Sequence, residues 1–325
     1  MSYKELAGTF RALEPRDFRV LTGIELAHGG YAFPPISEIR KYANLPLEEV
    51  EFRLDLLDKK RLLHKLPSNR IGYDGFSLNY SGYDCLALNA LVKAGALDAL
   101  GKPLGIGKEA DVYEALSRNR QVTVKFHRIG RTSFRQTRRA RAFVADRSHV
   151  TWIYQSRLAA EREYQALRLV HKCGVSVPRP IAHNRHVIVM GFIKGLELND
   201  VGTIDSPKLV LKNILNNIRR AYMNAHIIHA DLSQFNVVIK TDGTILIIDW
   251  PQSIRANHPN AAEILKRDVS NVLRFFSRRF KVRYPVDRAL TYVTGESQVR
   301  GISAQQNVPA RDISRRSARR LHTHI

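Results

Sequence analysis

The 325-residue chain reads as an α+β protein, an N-terminal winged helix followed by a trimmed two-lobed domain. Three observations carry that expectation. Residues 1–80 pass from helical periodicity to a β-ribbon pattern. Residues 101–193 set short β-branched strands around a glycine hairpin and one helical stretch. Only a short stretch follows the acid at Asp249, which limits the second lobe to a few elements.

Phe18 to Ala27 has the apolar period of a helix and stops at Gly29 and Gly30. Ile36 to Tyr42 predicts a second helix. Pro46 then opens a third, Leu47 to Lys60, with Val50, Leu54 and Leu57 on one face. Leu62–Leu66 and Phe76–Tyr80 bracket a turn-rich tip from Pro67 to Gly75, which completes a winged helix. Its second paired helix carries Glu48, Glu49, Glu51, Asp55 and Asp58, an outer face poorly suited to phosphate. Arg53, Lys59, Lys60 and Arg61 lie at one side and the end, and Lys65, Arg70 and Tyr73 on the wing can reach a nucleic-acid backbone. A protein-docking role is the rival reading. Residues 82–100 predict a linking helix.

The chemistry concentrates in HADLSQFN, His229 to Asn236, and IIDW, Ile247 to Trp250. An acid, an amide five positions on and a second acid after a short apolar strand form the metal-and-base half of a phosphoryl-transfer site. The donors are oxygens suited to Mg2+. Asp231 is the candidate catalytic acid, and Asn236 and Asp249 the candidate metal ligands. Upstream, Gly105, Gly107, Lys108 and Glu109 form a hairpin through which backbone can approach phosphate. Val122 to Lys125 is a short strand ending in the lysine expected at nucleotide phosphates. The helical stretch Leu158 to Leu169 offers Glu163 as its ion-pair partner, and Met190, Phe192 and Ile193 form the expected adenine hinge. Each signal alone is weak; a glycine pair usually makes only a turn, and a strand-end lysine is usually solvated. Their order makes a protein-kinase-like fold the expectation. His229 reads as a structural hydrogen-bonding residue rather than a base.

The string HRIGRTSFR from His127 to Arg135, the loop GKEADVY from Gly107 to Tyr113, and the pair HADLSQFN and IIDWPQ resemble the RIO family of atypical protein kinases, and the winged helix resembles its type-2 branch. The resemblance covers about residues 1–290. It implies ATP and Mg2+ as cofactors, Asp231 as catalytic aspartate, Asp249 as metal ligand and site of a phosphoaspartyl intermediate, and an ATPase-like role in maturing the small ribosomal subunit. Its precursor particle, rRNA and protein substrates would be the partners. Trp250 replaces a usual Phe, Ala230 a common Gly, Gly191 a frequent hinge acid and Ala110 a frequent Ser.

Charge supports a polyanionic partner, because 52 basic against 30 acidic side chains leave a net +22. Seven arginines (128, 131, 135, 138, 139, 141 and 147) fall in a segment, 126–149, expected to be a flexible basic insertion. The organisation expected is a winged helix at 1–80, a linker helix at 81–100, an upper lobe at 101–193, a reduced lower lobe at 194–290 and a basic, disordered tail at 291–325. Cys85 and Cys173 read as free thiols of a reducing cytoplasm, and no apolar run suggests export or a membrane span. Two other functions fit parts of the pattern: a small-molecule phosphotransferase of the aminoglycoside or choline kinase type, and a nucleotide-gated winged-helix DNA-binding regulator.

Overall fold

The computed structural model of the chain describes residues 3–130, 142–240 and 242–295, and over 142–151 the helical backbone alone. Helix α1 (Tyr3–Arg11), which the sequence analysis does not include, precedes the winged helix. That module is α2 (Pro15–Ala27), α3 (Ile36–Ala43), α4 (Leu47–Lys59) and the antiparallel ribbon of β1 (Leu63–Leu66) with β2 (Gly75–Leu78), Leu63 opposite Leu78. A one-turn helix, α5 (Ser68–Ile71), occupies the tip between the strands. Pro15 and Pro46 stand at helix starts, where a missing N–H costs no hydrogen bond. Arg53 corrects the sequence expectation. It is buried and donates to Asp17 at 2.7 Å, Glu49 at 2.5 Å and Glu14 at 3.0 Å, so it is no part of the outer surface of α4.

The stretch expected as one linking helix divides in two. Helix α6 (Tyr80–Lys93) starts under the Asn79 side chain, which accepts from the Gly82 N–H at 3.1 Å. After a left-handed turn at Gly95, the chain enters β3 (Ala99–Ile106). That strand opens an antiparallel five-stranded sheet with β4 (Ala110–Ser117), β5 (Arg120–His127), β6 (Pro180–Asn184) and β7 (Val187–Gly191), in the order β3-β4-β5-β7-β6.

Strand β5 decides where a site can lie. Side chains alternate along a strand, so Val122, Val124 and Phe126 face one way and Thr123, Lys125 and His127 the other. The apolar face joins Val187 and Val189 of β7 to Leu21, Ile24 and Leu86 of the N-terminal helices in one continuous core. The polar face is covered by α7 (Ala142–Lys172), whose Ala160 meets Ile188 and Met190. The winged helix and the upper sheet therefore share a core, and chemistry is left to the opposite face.

The lower lobe has its own core, formed by α8 (Pro207–Met223), α9 (Ala261–Phe280) and α10 (Val286–Thr294) around small ribbons. These pair β10 (Val237–Ile239) with β11 (Ile245–Ile247) and β8 (Leu196–Glu197), and β9 (Ile227–Ile228) with β12 (Ile254–Arg255). The helix expected at Ile264–Phe280 is α9, and Pro285 caps α10.

Of the basic insertion expected over 126–149, residues 131–141 lie outside the described residues, and Ala142 already opens α7. Arg128 is buried and ion-paired rather than solvated. Of the tail, 296–325 lie outside the described residues. Cys85 and Cys173 are free thiols. Among the described residues no helix is long and apolar enough to cross a membrane.

Gly82 lies so close to the chain just before β1 that an added Cβ would sit 2.4 Å from the Leu62 carbonyl oxygen. Gly82→Ala is expected to destabilise the fold by about 1–3 kcal/mol through overpacking. Urea unfolding should show it as a lower midpoint at unchanged slope.

Candidate active site

Lys125 is the centre of the site. Its Nζ donates to Glu163 Oε1 of α7 at 2.9 Å and to Asp249 Oδ1 of the lower lobe at 2.8 Å. His127, two residues on and so on the same face of β5, brings Nε2 within 2.8 Å of Glu163 Oε2. Burial alone would lower the Lys125 pKa, but Glu163 and Asp249 reverse this and raise it above the ordinary lysine value. Burial likewise penalises the Glu163 carboxylate, and Lys125 with His127 outweighs it, drawing its pKa down to about 2.

Asp231 and Asn236 lie on the loop between β9 and β10. Its last turn, Gln234–Asn236, is capped by Ser233 Oγ, which accepts from the Phe235 N–H at 3.4 Å. The Asn236 amide is buried, and its Nδ2 donates to the Asp231 carbonyl at 2.7 Å. That commits the nitrogen and leaves the amide oxygen as the group to face a cation. The Asn236 carbonyl accepts from the Ile248 N–H at 3.0 Å, which ties the loop to the strand end carrying Asp249. His229 completes the tie, donating Nε2–H to the Ile248 carbonyl at 2.9 Å and packing on Trp250 with ring centroids 4.6 Å apart. Burial lowers its pKa, in keeping with a neutral, structural imidazole. Asp231 itself stays exposed.

Ala230 and Asp249 both adopt left-handed backbone, at φ 66° and φ 68°. Such positions cost about 1–3 kcal/mol each and persist where neighbours hold them. Ala230 is held on both sides: its N–H donates to Asp268 Oδ2 at 2.8 Å, and its carbonyl accepts from Arg267. Asp268 is buried in α9, and desolvation pushes its pKa up to about 6 despite the N–H bonds it receives from Ala230 and Leu232.

The remaining expected residues flank this centre. Gly105, Gly107, Lys108 and Glu109 occupy the exposed β3–β4 hairpin, where the Gly107 N–H donates to the Ala110 carbonyl at 2.8 Å. Met190 is buried opposite Thr123 at the end of β7. Phe192 and Ile193 follow half-buried, and the Ile193 N–H donates to Thr123 Oγ1 at 3.4 Å. The structure thus joins Lys125, Glu163 and Asp249 directly, and Asp231 and Asn236 to them through Ile248. Asn236 and Asp249 are a hard-oxygen pair that fits Mg2+, an ion that keeps waters and phosphate oxygens in its shell. Among the described residues no group of three or more His, Cys, Asp or Glu side chains forms a metal cage.

Residues 111–289 match the model of the RIO domain, and residues 10–94 match that of the Rio2 N-terminal region. The chain belongs to the RIO kinase family. Its N-terminal match puts this RIO kinase in the Rio2 branch of atypical serine/threonine kinases. It is 40% identical over 271 residues to the RIO-type serine/threonine-protein kinase Rio2 of Methanocaldococcus jannaschii, covering 80% of this chain and 97% of that protein. With the serine/threonine-protein kinase rio2 of Schizosaccharomyces pombe it shares 35% over 274 residues, covering 84% and 79%. Among solved structures, the Rio2 kinase-ADP/Mg2+-phosphoaspartate complex of Chaetomium thermophilum superposes with a TM-score of 0.77 at 32% identity, covering 88% of each chain.

Sequence reasoning missed three groups in this RIO kinase: His127, Arg267 and Asp268. A signal existed for two of them. Asp268 interrupts the apolar stripe Leu265, Val269, Val272 and Phe276 of α9, and His127 continues the polar alternation of Thr123 and Lys125. Arg267 had none, because its partner is a backbone carbonyl.

Glu163 makes stability pH-dependent. Its folded pKa is about 2 against an ordinary 4.5, so its contribution is complete above about pH 4.5 and lost as pH falls towards 2. Denaturant titrations across that window should show the slope in the native chain and a smaller one in Glu163→Gln. Asp268→Asn should loosen the Ala230–Leu232 backbone and cut ATP turnover about a hundredfold, as a misplacement of about 1 Å at a reacting centre does. Steady-state hydrolysis alongside a thermal melt checks that outcome.

Proposed function

We propose that this chain is a Mg-ATP-dependent serine/threonine kinase and ATPase whose catalytic centre is the Lys125–Glu163–Asp249 cluster. The observation that carries the reading is one buried lysine bridging a carboxylate of the upper lobe and one of the lower lobe. An amine held that way is oriented before substrate arrives, and it exchanges a carboxylate partner for phosphate oxygens at little reorganisation cost. Glu163 keeps Lys125 charged and aimed. The Gly105–Glu109 hairpin covers the phosphates with backbone N–H groups, and Met190 to Ile193 offers main-chain contacts to adenine. Mg2+, held by Asn236 and Asp249, neutralises phosphate charge when bound.

Asp231, exposed on the loop that the Ile248 N–H ties to the strand end carrying Asp249, accepts or steers the proton of an acceptor hydroxyl. In the ATPase branch, a carboxylate oxygen of Asp249 attacks the γ-phosphorus, ADP leaves, and water cleaves the resulting aspartyl phosphate, releasing inorganic phosphate and regenerating the carboxylate. The Chaetomium relative described as a phosphoaspartate complex supports that branch. Asp249 is held by Lys125 on one side and by the Ile248–Asn236 tie on the other.

The net charge of +22 supports the small ribosomal subunit precursor and its rRNA as partners, in the cytoplasm. In this reading the winged helix at 1–80, the linker at 81–100, the insertion at 126–149 and the tail at 291–325 serve docking around lobes at 101–193 and 194–290. Burial of Arg53 leaves the outer face of α4 acidic, which favours docking over reading a DNA groove.

Asp249→Asn should abolish ATP hydrolysis while ATP still binds; turnover retained in the purified variant would contradict the assignment. Co-sedimentation with small-subunit precursors, with and without ATP, tests the partner. A chain that stays in the light fractions in both conditions argues against it.

A further inference from the structure

The glycine hairpin between β3 and β4 has little packing of its own. Leu104 and Ile106 are exposed on it, and Gly105 to Glu109 lie open to solvent. The ties that reach it from behind are polar. Arg128, the residue after β5, donates its backbone N–H to the Glu109 carbonyl at 2.6 Å and its Nε to Asp111 Oδ2 at 3.0 Å. The same guanidinium forks onto Asp84 of α6, with Nη1 to Oδ1 at 2.6 Å and Nη2 to Oδ2 at 2.8 Å. It lies 5.2 Å from the Tyr80 ring centroid and 5.1 Å from that of Phe126. Arg128, Asp84 and Asp111 are all buried.

The next residue is anchored too. The Ile129 N–H donates to Ser156 Oγ at 3.0 Å, and Tyr80 Oη donates to the Ile129 carbonyl at 2.8 Å. One short stretch, 128–129, therefore meets the hairpin, α6 and α7 together. Buried ion networks are a poor source of stability, because apolar residues of the same volume do as well. The surrounding core is already apolar from the N-terminal helices to the sheet. What a planar guanidinium adds is direction, with donors at fixed angles that set the position of whatever they bind.

We propose that Arg128 is a positioning residue for the nucleotide phosphates: it ties the hairpin exit at Asp111 to Asp84 of α6, so phosphate affinity depends on the helix that links the winged helix to the upper sheet. The inference rests on the hairpin being the phosphate-covering element of the proposed ATP site. Adenine contacts lie at Met190 to Ile193, a different strand end, so the tie acts on the phosphate tail and not on the base.

The test is calorimetric titration of the full chain with ATP, ADP and adenosine in Mg2+. Arg128→Lys keeps the charge and removes the fork. Asp111→Asn leaves the Arg128–Asp84 fork in place and weakens only the hairpin tie, and it stands in for the first variant should a thermal melt show that variant unfolded. Both are expected to weaken ATP and ADP about tenfold, the loss of one charged hydrogen bond, with adenosine unchanged. A parallel loss for all three ligands would mean a merely structural role and overturn the proposal. So would a folded variant that binds ATP as tightly as the native chain. If the native chain binds no ATP, the nucleotide site itself is wrong, a result separate from either variant outcome.

Discussion

A single ammonium group is shared between two lobes, and most of the architecture serves that arrangement. Lys125 reaches Glu163 and Asp249 at once, from a position where a charge left alone would be expensive. Three elements must therefore arrive together: β5 to present the lysine, α7 to bring Glu163, and the turn after β11 to bring Asp249. Asp249 makes that contact from left-handed backbone, at φ 68°, just past the end of β11. The site is an electrostatic closure between two hydrophobic cores, and neither core could build it alone.

The lower lobe is economical about meeting its half. Helix α9 packs its apolar stripe into the core and, from the same turn, uses Arg267 and Asp268 to hold both polar groups of the Ala230 backbone. The helix that stabilises the lobe is thus also the one that places Asp231. The upper lobe divides its labour differently. One face of β5 is spent on the core shared with the winged helix, and the other on charge.

Arg128 and Arg53 show where a linear reading goes astray. The sequence places Arg53 at one side of an acidic helix and Arg128 in a flexible basic insertion, and both are buried against two or three carboxylates. Their partners lie 17 or more residues away in most cases, at Asp17, Asp84 and Asp111, so no local pattern marks them. Asp268 and His127 differ, since each is a polar residue placed on the period of a buried face and could have been found. Helix α1 was open to the same reading, since the shorter helix α3 follows from its period.

The fold class, the pairing of Lys125 with Glu163, and the grouping of Asp231, Asn236 and Asp249 were legible in the chain alone. Their chemistry needs particular residue types at short spacings, and strands and helices convert spacing into direction with fixed periods. Tertiary structure alone decided which face of β5 is chemical, that the winged helix shares a core with the upper sheet, and which arginines are buried. Those outcomes depend on pairs far apart in the chain, where closure of long loops, and not local periodicity, selects the partner.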